Sequence, residues 1–208
     1  MRIAIIGAGN VGSGLAAAVA AAGHDVTIAA AHEANAVKAA ESVAGAQAVS
    51  TVSAAAQGAD VVVLAVPAAA AADVLGELGD VDAVVVDATN PLNDTFSDLT
   101  TSGINQAEQL AAAKPGLKLV KAFNTIFASR LGNPGEGDQQ LEGFYAGDDE
   151  TAKATVQQLL ASLGFRPIDA GGLRMARALE EMAFLNITLN ARDGWSWQSG
   201  WKLAEPTA

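Results

Sequence analysis

The chain has 208 residues, which fits one domain large enough to bury its own core. Half of the residues are hydrophobic and the formal net charge is −11, so the composition excludes a disordered chain and argues against nucleic acid as the main partner. The chain contains no cysteine, which excludes disulfides, thiol catalysis and cysteine metal sites.

The first part of the chain alternates short apolar strands with alanine-rich helices. Residues 60–66 and 82–87 are continuous apolar runs, and such runs predict strands buried on both faces, as in a parallel sheet covered by helices. In chain order, we predict strands at residues 2–6, 25–29, 46–50, 60–66 and 82–87, helices at residues 10–22, 34–42 and 67–78, and a helical turn at 53–57.

The alternation continues through the second part of the chain. The predicted fold class is α/β, with a Rossmann-like, doubly wound, mostly parallel sheet, helices on both faces and one domain over residues 1–208. We predict helices at residues 105–113, 149–163 and 173–190, strands at 118–123, 144–146 and 166–169, and a loop at 132–138.

The N-terminal residues and the apolar runs bear on localisation. Asn10, Ser13 and several glycines interrupt the apolar N-terminus, which argues against a signal peptide. No apolar run approaches the roughly 18 residues that a membrane-spanning helix needs. We therefore expect a cytoplasmic protein without a membrane partner.

A glycine-rich loop follows the first predicted strand. Its sequence, GAGNVG at residues 7–12, matches the dinucleotide fingerprint, and it opens a helix as that motif requires. Gly7 permits the tight turn, Gly9 lets the backbone approach a pyrophosphate, and Gly12 lets the helix pack on the strand. The alternative is a glycine turn in an unrelated α/β protein. We predict NAD(P) binding at Gly7, Gly9, Asn10, Val11 and Gly12.

The end of the second strand distinguishes NAD from NADP in such folds, since an acidic residue there binds the ribose hydroxyls and a basic one accommodates the 2′-phosphate. Here Ala30, Ala31 and His32 follow the strand, with no acidic residue directly at its end. His32 and Lys38 would supply weak positive charge, which favours NADP, whereas Glu33 would serve the ribose of NAD. The alternative for His32 is an exposed loop residue.

Two asparagines follow the ends of later apolar strands. Asn90 precedes Pro91, and Asn124 precedes Thr125. Ligands of open α/β sheets bind outside the carboxyl ends of the strands, so both pairs are candidates for the same site. The alternatives are a simple turn at Asn90 and a helix cap at Asn124.

Four stretches together resemble the NADP oxidoreductases that act on the deazaflavin coenzyme F420. The chain is also similar to the cytosolic reductase domain of the six-transmembrane metalloreductases. The resemblance runs over nearly the whole chain, but Ala30, Ala31 and His32 stand where the deazaflavin enzymes usually carry Ser-Arg-Arg. The stretches are residues 7–12, 87–91 (DATNP), 120–125 (VKAFNT) and 166–171 (RPIDAG), the last followed by Arg177 and Glu180.

The resemblance implies an oxidoreductase that passes a hydride between NADP(H) and deazaflavin coenzyme F420 or a flavin. It implies that the region from Leu173 to Glu180 borders the acceptor pocket. It further assigns residues 9–12 to the pyrophosphate, Ala30, Ala31 and His32 to the adenosine ribose, Ala65, Val66 and Pro67 to the dinucleotide path, and Asn90, Pro91, Ala122, Asn124 and Thr125 to the nicotinamide.

Hydride transfer of this kind needs no catalytic side chain, because the cofactors carry the reactivity and the protein positions them. We accordingly predict no catalytic residue and no metal site. Arg174 and Arg177 are candidates for binding an anionic acceptor tail, the alternative being surface ion pairs with Glu180 or Glu181 at helical spacing.

Residues 193–201 contain every tryptophan of the chain, which suggests an aromatic anchor against the core or across a homodimer. A C-terminal extension from about residue 140 to residue 208 is therefore expected to complete the acceptor pocket or a dimer contact.

Two other functions stay open. A reductase of small ketones or imines would usually need a longer helical domain and a proton donor, and Tyr145 is the only tyrosine. A non-catalytic NAD(P) sensor or partner-binding module is the second alternative, since the basic residues after the second strand are absent.

Overall fold

The computed structural model describes residues 1–204, and residues 205–208 of the predicted extension lie outside this range. An eight-stranded sheet has the order β10-β9-β6-β5-β4-β1-β2-β3, with a separate two-stranded ladder, β7-β8. The strands are β1 (Arg2–Ile6), β2 (Asp25–Ala29), β3 (Gln47–Ala48), β4 (Val61–Leu64), β5 (Val84–Asp87), β6 (Leu119–Ala122), β7 (Gly135–Glu136), β8 (Gln139–Gln140), β9 (Glu142–Gly147) and β10 (Arg166–Asp169).

Helices connect most of these strands. Short 3₁₀ turns precede two of them, at Ala68–Ala70 and Leu173–Met175. The helices are α1 (Asn10–Ala21), α2 (Glu33–Glu41), α3 (Val52–Ala56), α4 (Ala71–Glu77), α5 (Gln106–Ala113), α6 (Ala128–Leu131), α7 (Glu150–Ser162) and α8 (Ala176–Asp193).

The first six strands of the large sheet are parallel, and β9 is antiparallel to β6. The register pairs Ile6 with Leu64, Leu64 with Asp87 and Asp87 with Lys121. The carboxyl ends of β1, β4, β5 and β6 therefore meet at one edge. Strand order reverses between β1 and β4, and this is where open α/β sheets bind ligands.

Both faces of the central strands are buried. Ile3 and Ile5 belong to one hydrophobic cluster, whereas Ala4 and Ile6 belong to another on the opposite face. Alternate residues of a strand point to opposite faces, so helices must cover both. The predicted Rossmann-like, mostly parallel α/β fold is confirmed.

The structure corrects three local predictions. The loop predicted at residues 132–138 contains β7, which pairs with β8 in a small hairpin. The short helix α6 follows β6 and was not predicted. The last helix begins with a 3₁₀ turn and runs to Asp193, three residues beyond the predicted end. Within residues 1–204, no helix has the length and apolar character needed to cross a membrane.

Candidate functional site

The glycine loop joins β1 to α1 through a turn that needs glycine at two positions. Gly7 has a φ of 122°, and a Cβ there would overlap the carbonyl oxygen of Ala65 at the end of β4. A Cβ at Gly12 would overlap the carbonyl oxygen of Gly7. At Gly9, by contrast, a Cβ would meet nothing within 4 Å. The first and third glycines therefore serve the packing of the loop, whereas the second faces open space.

The N-terminus of α1 has the properties of an anion-binding site. Gly9 is its N-cap, no side chain caps it, and its first turn contains no acidic residue. Its first amides therefore keep their hydrogen-bonding capacity, and the helix dipole adds partial positive charge. Asn10 is exposed and Val11 half-buried beside this helix start.

The ends of β2 and β4 flank the glycine loop. Ala30 is half-buried, whereas Ala31 and His32 are exposed, and His32 is the N-cap residue of α2 without a side-chain capping bond. Ala65 and Val66 are half-buried and Pro67 is exposed. The amide of Ala65 donates to the carbonyl of Ile6 at 2.8 Å, which holds this segment directly beside the glycine loop.

The two predicted asparagines bind each other. Nδ2 of Asn90 donates to the backbone oxygen of Asn124 at 2.9 Å, and Nδ2 of Asn124 donates to Oδ1 of Asn90 at 3.0 Å. Nδ2 of Asn124 also donates to the carbonyl of Leu179 in α8 at 3.0 Å. The side chain of Asn124 thus joins the ends of β5 and β6 to α8, and the simple-turn and helix-cap alternatives do not describe these contacts.

Phe123, which precedes Asn124, has an unusual backbone conformation. Its φ is 64°, a left-handed conformation that is costly for a bulky residue, and its side chain is 1% exposed. Backbone strain of this kind concentrates at functional sites. No sequence signal marks Phe123 for a role of this kind, because a left-handed conformation at a phenylalanine is set by tertiary packing.

A cleft of about 150 Å³ lies beside the asparagine pair. Val11 of α1 borders it on the side of the glycine loop, and α8 borders it on the other. Ala122 is buried behind it in β6 and Pro91 is buried after β5, so neither lines it. The remaining lining residues are Ala88, Asn90, residues 123–128, Ala183, Asn186 and Ile187.

Three oxygens near this edge are buried without a hydrogen-bond partner. They are Oγ1 of Thr89, Oδ1 of Asn124 and Oγ1 of Thr125. Buried polar atoms are normally paired, so unpaired ones call for an explanation. Two of the three, Oδ1 of Asn124 and Oγ1 of Thr125, belong to residues that line the cleft.

A buried ionic cluster lies behind the asparagine pair. Nζ of Lys121 donates to Oδ2 of Asp87 at 2.9 Å, to Oε1 of Glu180 at 3.1 Å and to the carbonyl of Thr89 at 2.7 Å. All three charged side chains are 0% exposed. Glu180 therefore faces the sheet and pairs with Lys121, so of the two glutamates in the surface alternative only Glu181 remains as a partner for an arginine.

Burial raises the pKa of Glu180 above its ordinary value of 4.5, and Lys121 opposes that shift. The folded protein binds a proton at Glu180 more readily than the unfolded chain does. The stabilisation of the folded state that results is fully present below about pH 4.5 and is lost as pH rises through the folded pKa.

This difference in pKa predicts how stability depends on pH. We expect the unfolding free energy of wild type minus that of Glu180→Gln to fall with rising pH over this window. Its slope should not exceed about 1.4 kcal/mol per pH unit. Urea unfolding at a series of pH values measures it, and a flat or rising difference contradicts the assignment.

The two predicted acceptor-binding arginines lie away from the asparagine pair. Arg174 and Arg177 line a separate concavity of about 460 Å³ next to Gly103 and Ile104. Arg177 pairs with Glu181 at 3.7 Å, as the surface alternative predicted. Neither arginine lines the 150 Å³ cleft, which the middle of α8 borders instead of the region from Leu173 to Glu180.

The C-terminal segment folds back along α8 beside the cleft. The ring of Trp197 lies edge-on to that of Phe127 at a centroid distance of 5.6 Å. Trp195 and Trp197 are 48% and 45% exposed, whereas the backbone of Trp201 pairs with the amide of Glu142 in β9. The segment is thus anchored to this protomer, and a homodimer through the exposed tryptophans stays a prediction.

Comparisons with known proteins agree with this architecture. A family model described as "NADP oxidoreductase coenzyme F420-dependent" matches residues 2–91. An F420-dependent NADP reductase from Methanothermobacter thermautotrophicus is 35% identical over an alignment of 211 positions, gaps included, which covers 93% of this chain and 90% of that protein. The chain belongs to this family. It is therefore an NAD(P)-dependent oxidoreductase.

Two further relatives define the extent of this likeness. A crystal structure of a putative F420-dependent NADP reductase from Arthrobacter sp. FB24 is 31% identical with a TM-score of 0.85, over 99% of this chain and 100% of that one. The rat metalloreductase STEAP3 is 37% identical over 98 residues, 47% of this chain but 19% of the metalloreductase. The predicted likeness to both groups is confirmed.

The residues of the site fit a dinucleotide. Open space in front of Gly9 leaves room for a pyrophosphate beside the uncapped N-terminus of α1. The unpaired oxygens of Asn124 and Thr125 are suitable partners for a carboxamide such as that of nicotinamide.

Proposed function

We propose that this protein transfers a hydride between NADP(H) and a flavin-like acceptor, deazaflavin coenzyme F420 or a flavin. The proposal depends most on the asparagine pair beside the cleft. This pair lies between the glycine loop and α8 and presents an unpaired, buried oxygen of Asn124. The names of the relatives support NADP and F420 as the reactants.

The dinucleotide would lie across the carboxyl ends of β1, β2, β4, β5 and β6. We place its pyrophosphate at Gly7, Gly9, Asn10, Val11 and Gly12, because the amides of α1 are free there. Its adenosine ribose would contact the end of β2, and its central part would pass the end of β4. We assign Ala30, Ala31 and His32 to the ribose and Ala65, Val66 and Pro67 to the path of the dinucleotide. To the nicotinamide end we assign Asn90, Pro91, Ala122, Asn124 and Thr125. Of these, Pro91 and Ala122 are buried and would support the others from behind.

The preference for NADP depends on exposed residues after β2. His32 and Lys38 are both exposed and would face a 2′-phosphate with weak positive charge. Glu33, in the first turn of α2, would instead repel that phosphate. NAD stays the alternative, and comparison of both nucleotides in the assay below decides between them.

The acceptor would approach from the side of α8 and the C-terminal segment. We propose that residues from about 140 onward complete this side of a single domain, because Ala183, Asn186 and Ile187 line the cleft. Arg174 and Arg177 would bind an acidic acceptor tail in the neighbouring concavity. A long acceptor, such as a deazaflavin with an acidic tail, would extend from one concavity to the other.

Hydride transfer requires little chemical participation by the side chains. NADP(H) supplies the hydride, and the protein holds the reacting rings in contact and excludes water. Phe123, Ile126 and Ile187 give the cleft an apolar lining that serves this exclusion. No general acid or base is required for the transfer itself, so we propose that no side chain is catalytic.

Nicotinamide absorbance tests the proposal directly. NADPH and NADH are each mixed with the protein and with oxidised F420 or flavin mononucleotide, and absorbance loss is followed over time. We expect rapid loss with NADPH and the deazaflavin. Tight binding of the reduced nucleotide without loss in any mixture would contradict flavin-type acceptors and favour a small-substrate reductase or a sensor.

A further inference from the structure

Lys121 is bound on all three of its ammonium hydrogens by groups from different elements. Its acceptors are Asp87 at the end of β5, the carbonyl of Thr89 in the following loop, and Glu180 in α8. An ammonium has three donors, so its capacity is fully used. A single buried side chain thus ties the ends of β5 and β6 to α8.

Two of the three contacts lie next to groups that hold the asparagine pair. Thr89 directly precedes Asn90, whose side chain binds Asn124. Glu180 directly follows Leu179, whose carbonyl accepts from Nδ2 of Asn124. Lys121 itself is separated from Asn124 only by Ala122 and the strained Phe123. The ammonium therefore fixes both ends of the asparagine hydrogen-bond network.

Stability alone does not account for this cluster. Removing charged groups from water carries a large desolvation cost, and apolar replacements of buried ion pairs are often as stable. The cluster is also incompletely paired, since Oε2 of Glu180 is buried without a partner. A precise placement of neighbouring groups is the advantage that such a directional network offers.

We propose that Lys121 is a positioning residue for the nicotinamide end of the cleft, acting through Asn90 and Asn124. This inference rests on the proposed function, because it takes the cleft beside the asparagines as the nicotinamide site. The pyrophosphate and adenosine contacts lie on other elements, at the starts of α1 and α2. Loss of Lys121 should therefore affect one end of the dinucleotide only.

The test compares two ligands of different length. Dissociation constants are measured by calorimetry for NADPH and for adenosine 2′,5′-bisphosphate, which lacks the nicotinamide end. In Lys121→Met we expect the affinity for NADPH to fall by about 5- to 10-fold, as for a lost hydrogen bond. The affinity for the bisphosphate should stay within about 2-fold of wild type, because this ligand lacks the nicotinamide end. If Lys121 had only a structural role, its loss would lower both affinities by a similar factor.

Lys153 provides a matched control. Its side chain is 8% exposed and pairs with two carboxylates, Glu150 at 2.8 Å and Asp169 at 3.0 Å, on the α7 side of the sheet. Lys153→Met likewise removes a nearly buried lysine with two ion pairs, although its carboxylates are more exposed, and it makes no contact with the asparagines. We expect the ratio of the two dissociation constants to equal that of wild type.

The outcomes separate this inference from the proposed function. Wild-type protein that does not bind NADPH contradicts the proposed function. Wild-type protein that binds both ligands, with the same ratio of dissociation constants in Lys121→Met, contradicts the role of Lys121 alone. If Lys121→Met does not fold, the triple variant Lys121→Met/Asp87→Asn/Glu180→Gln removes the buried charges as a unit and must show the same change in ratio.

Discussion

Replacement of Gly9 by valine is expected to lower the affinity for NADPH by about 10²-fold and to leave the fold intact. A Cβ at this position meets no protein atom within 4 Å, so the unfolding free energy should fall only by the roughly 1 kcal/mol that a poorer N-cap residue costs. The added side chain would occupy the space in front of the amides of α1. Hydrogen bonds to charged groups contribute about 1.5–3 kcal/mol each, so losing one or two of them accounts for the expected factor.

Gly12→Val is the matched comparison within the same loop. Its Cβ would overlap the carbonyl of Gly7, and backbone cannot move aside as a flexible side chain can. We expect a loss of about 3 kcal/mol or more in unfolding free energy. Urea unfolding and calorimetric titration with NADPH measure both variants. Normal nucleotide binding by folded Gly9→Val would contradict the placement of the pyrophosphate.

Replacement of Asn124 by leucine is expected to lower kcat by about 10²-fold. Leucine has a similar volume but cannot donate to Oδ1 of Asn90 or to the carbonyl of Leu179. The segment after β6 therefore loses the hydrogen bonds that hold it against α8. A misplacement of about 1 Å at the reacting groups costs about 10²-fold in rate. Steady-state kinetics with NADPH and the deazaflavin measure the effect, together with unfolding free energies that should fall by about 1–3 kcal/mol.

Asp149→Ala supplies the control for that loss of stability. Oδ1 of Asp149 accepts from the amide of Ala152 at 2.8 Å and caps α7, away from the cleft. Removal of such a cap costs about 1 kcal/mol. We expect kcat within about 2-fold of wild type in this variant. If it loses as much activity as Asn124→Leu, then stability and not positioning explains the effect.

The glycine loop and the ends of β5 and β6 were predictable because their signals are local. The spacing of Gly7, Gly9 and Gly12 directly after β1 indicates the turn into α1, and the apolar runs of β4 and β5 indicate burial on both faces. Parallel pairing then brings the residues after each strand to one edge. This argument places both asparagines at the same edge of the sheet, but it does not predict that they form hydrogen bonds with each other.

The buried cluster could not be predicted in the same way. Lys121 is one charge in a short apolar strand, and its partners lie 34 residues before and 59 residues after it. On α8, Glu180 and Glu181 both have helical spacing to an arginine, and only the packing of the helix decides that Glu180 faces the sheet. The antiparallel β9 likewise depends on tertiary packing, since its sequence carries no sign of strand direction.

If the cleft brings nicotinamide and a deazaflavin ring into direct contact, the hydride passes between the two rings without exchange with water, and isotope transfer measures this. NADPH carrying deuterium at the transferable position of C4 is mixed with the protein and oxidised F420 in ordinary water, and the reduced deazaflavin is analysed by mass spectrometry. Carbon-bound hydrogen does not exchange with water, so direct transfer predicts one deuterium on the reduced ring. A reduced product that contains only solvent hydrogen, or no reduced product at all, would contradict the account.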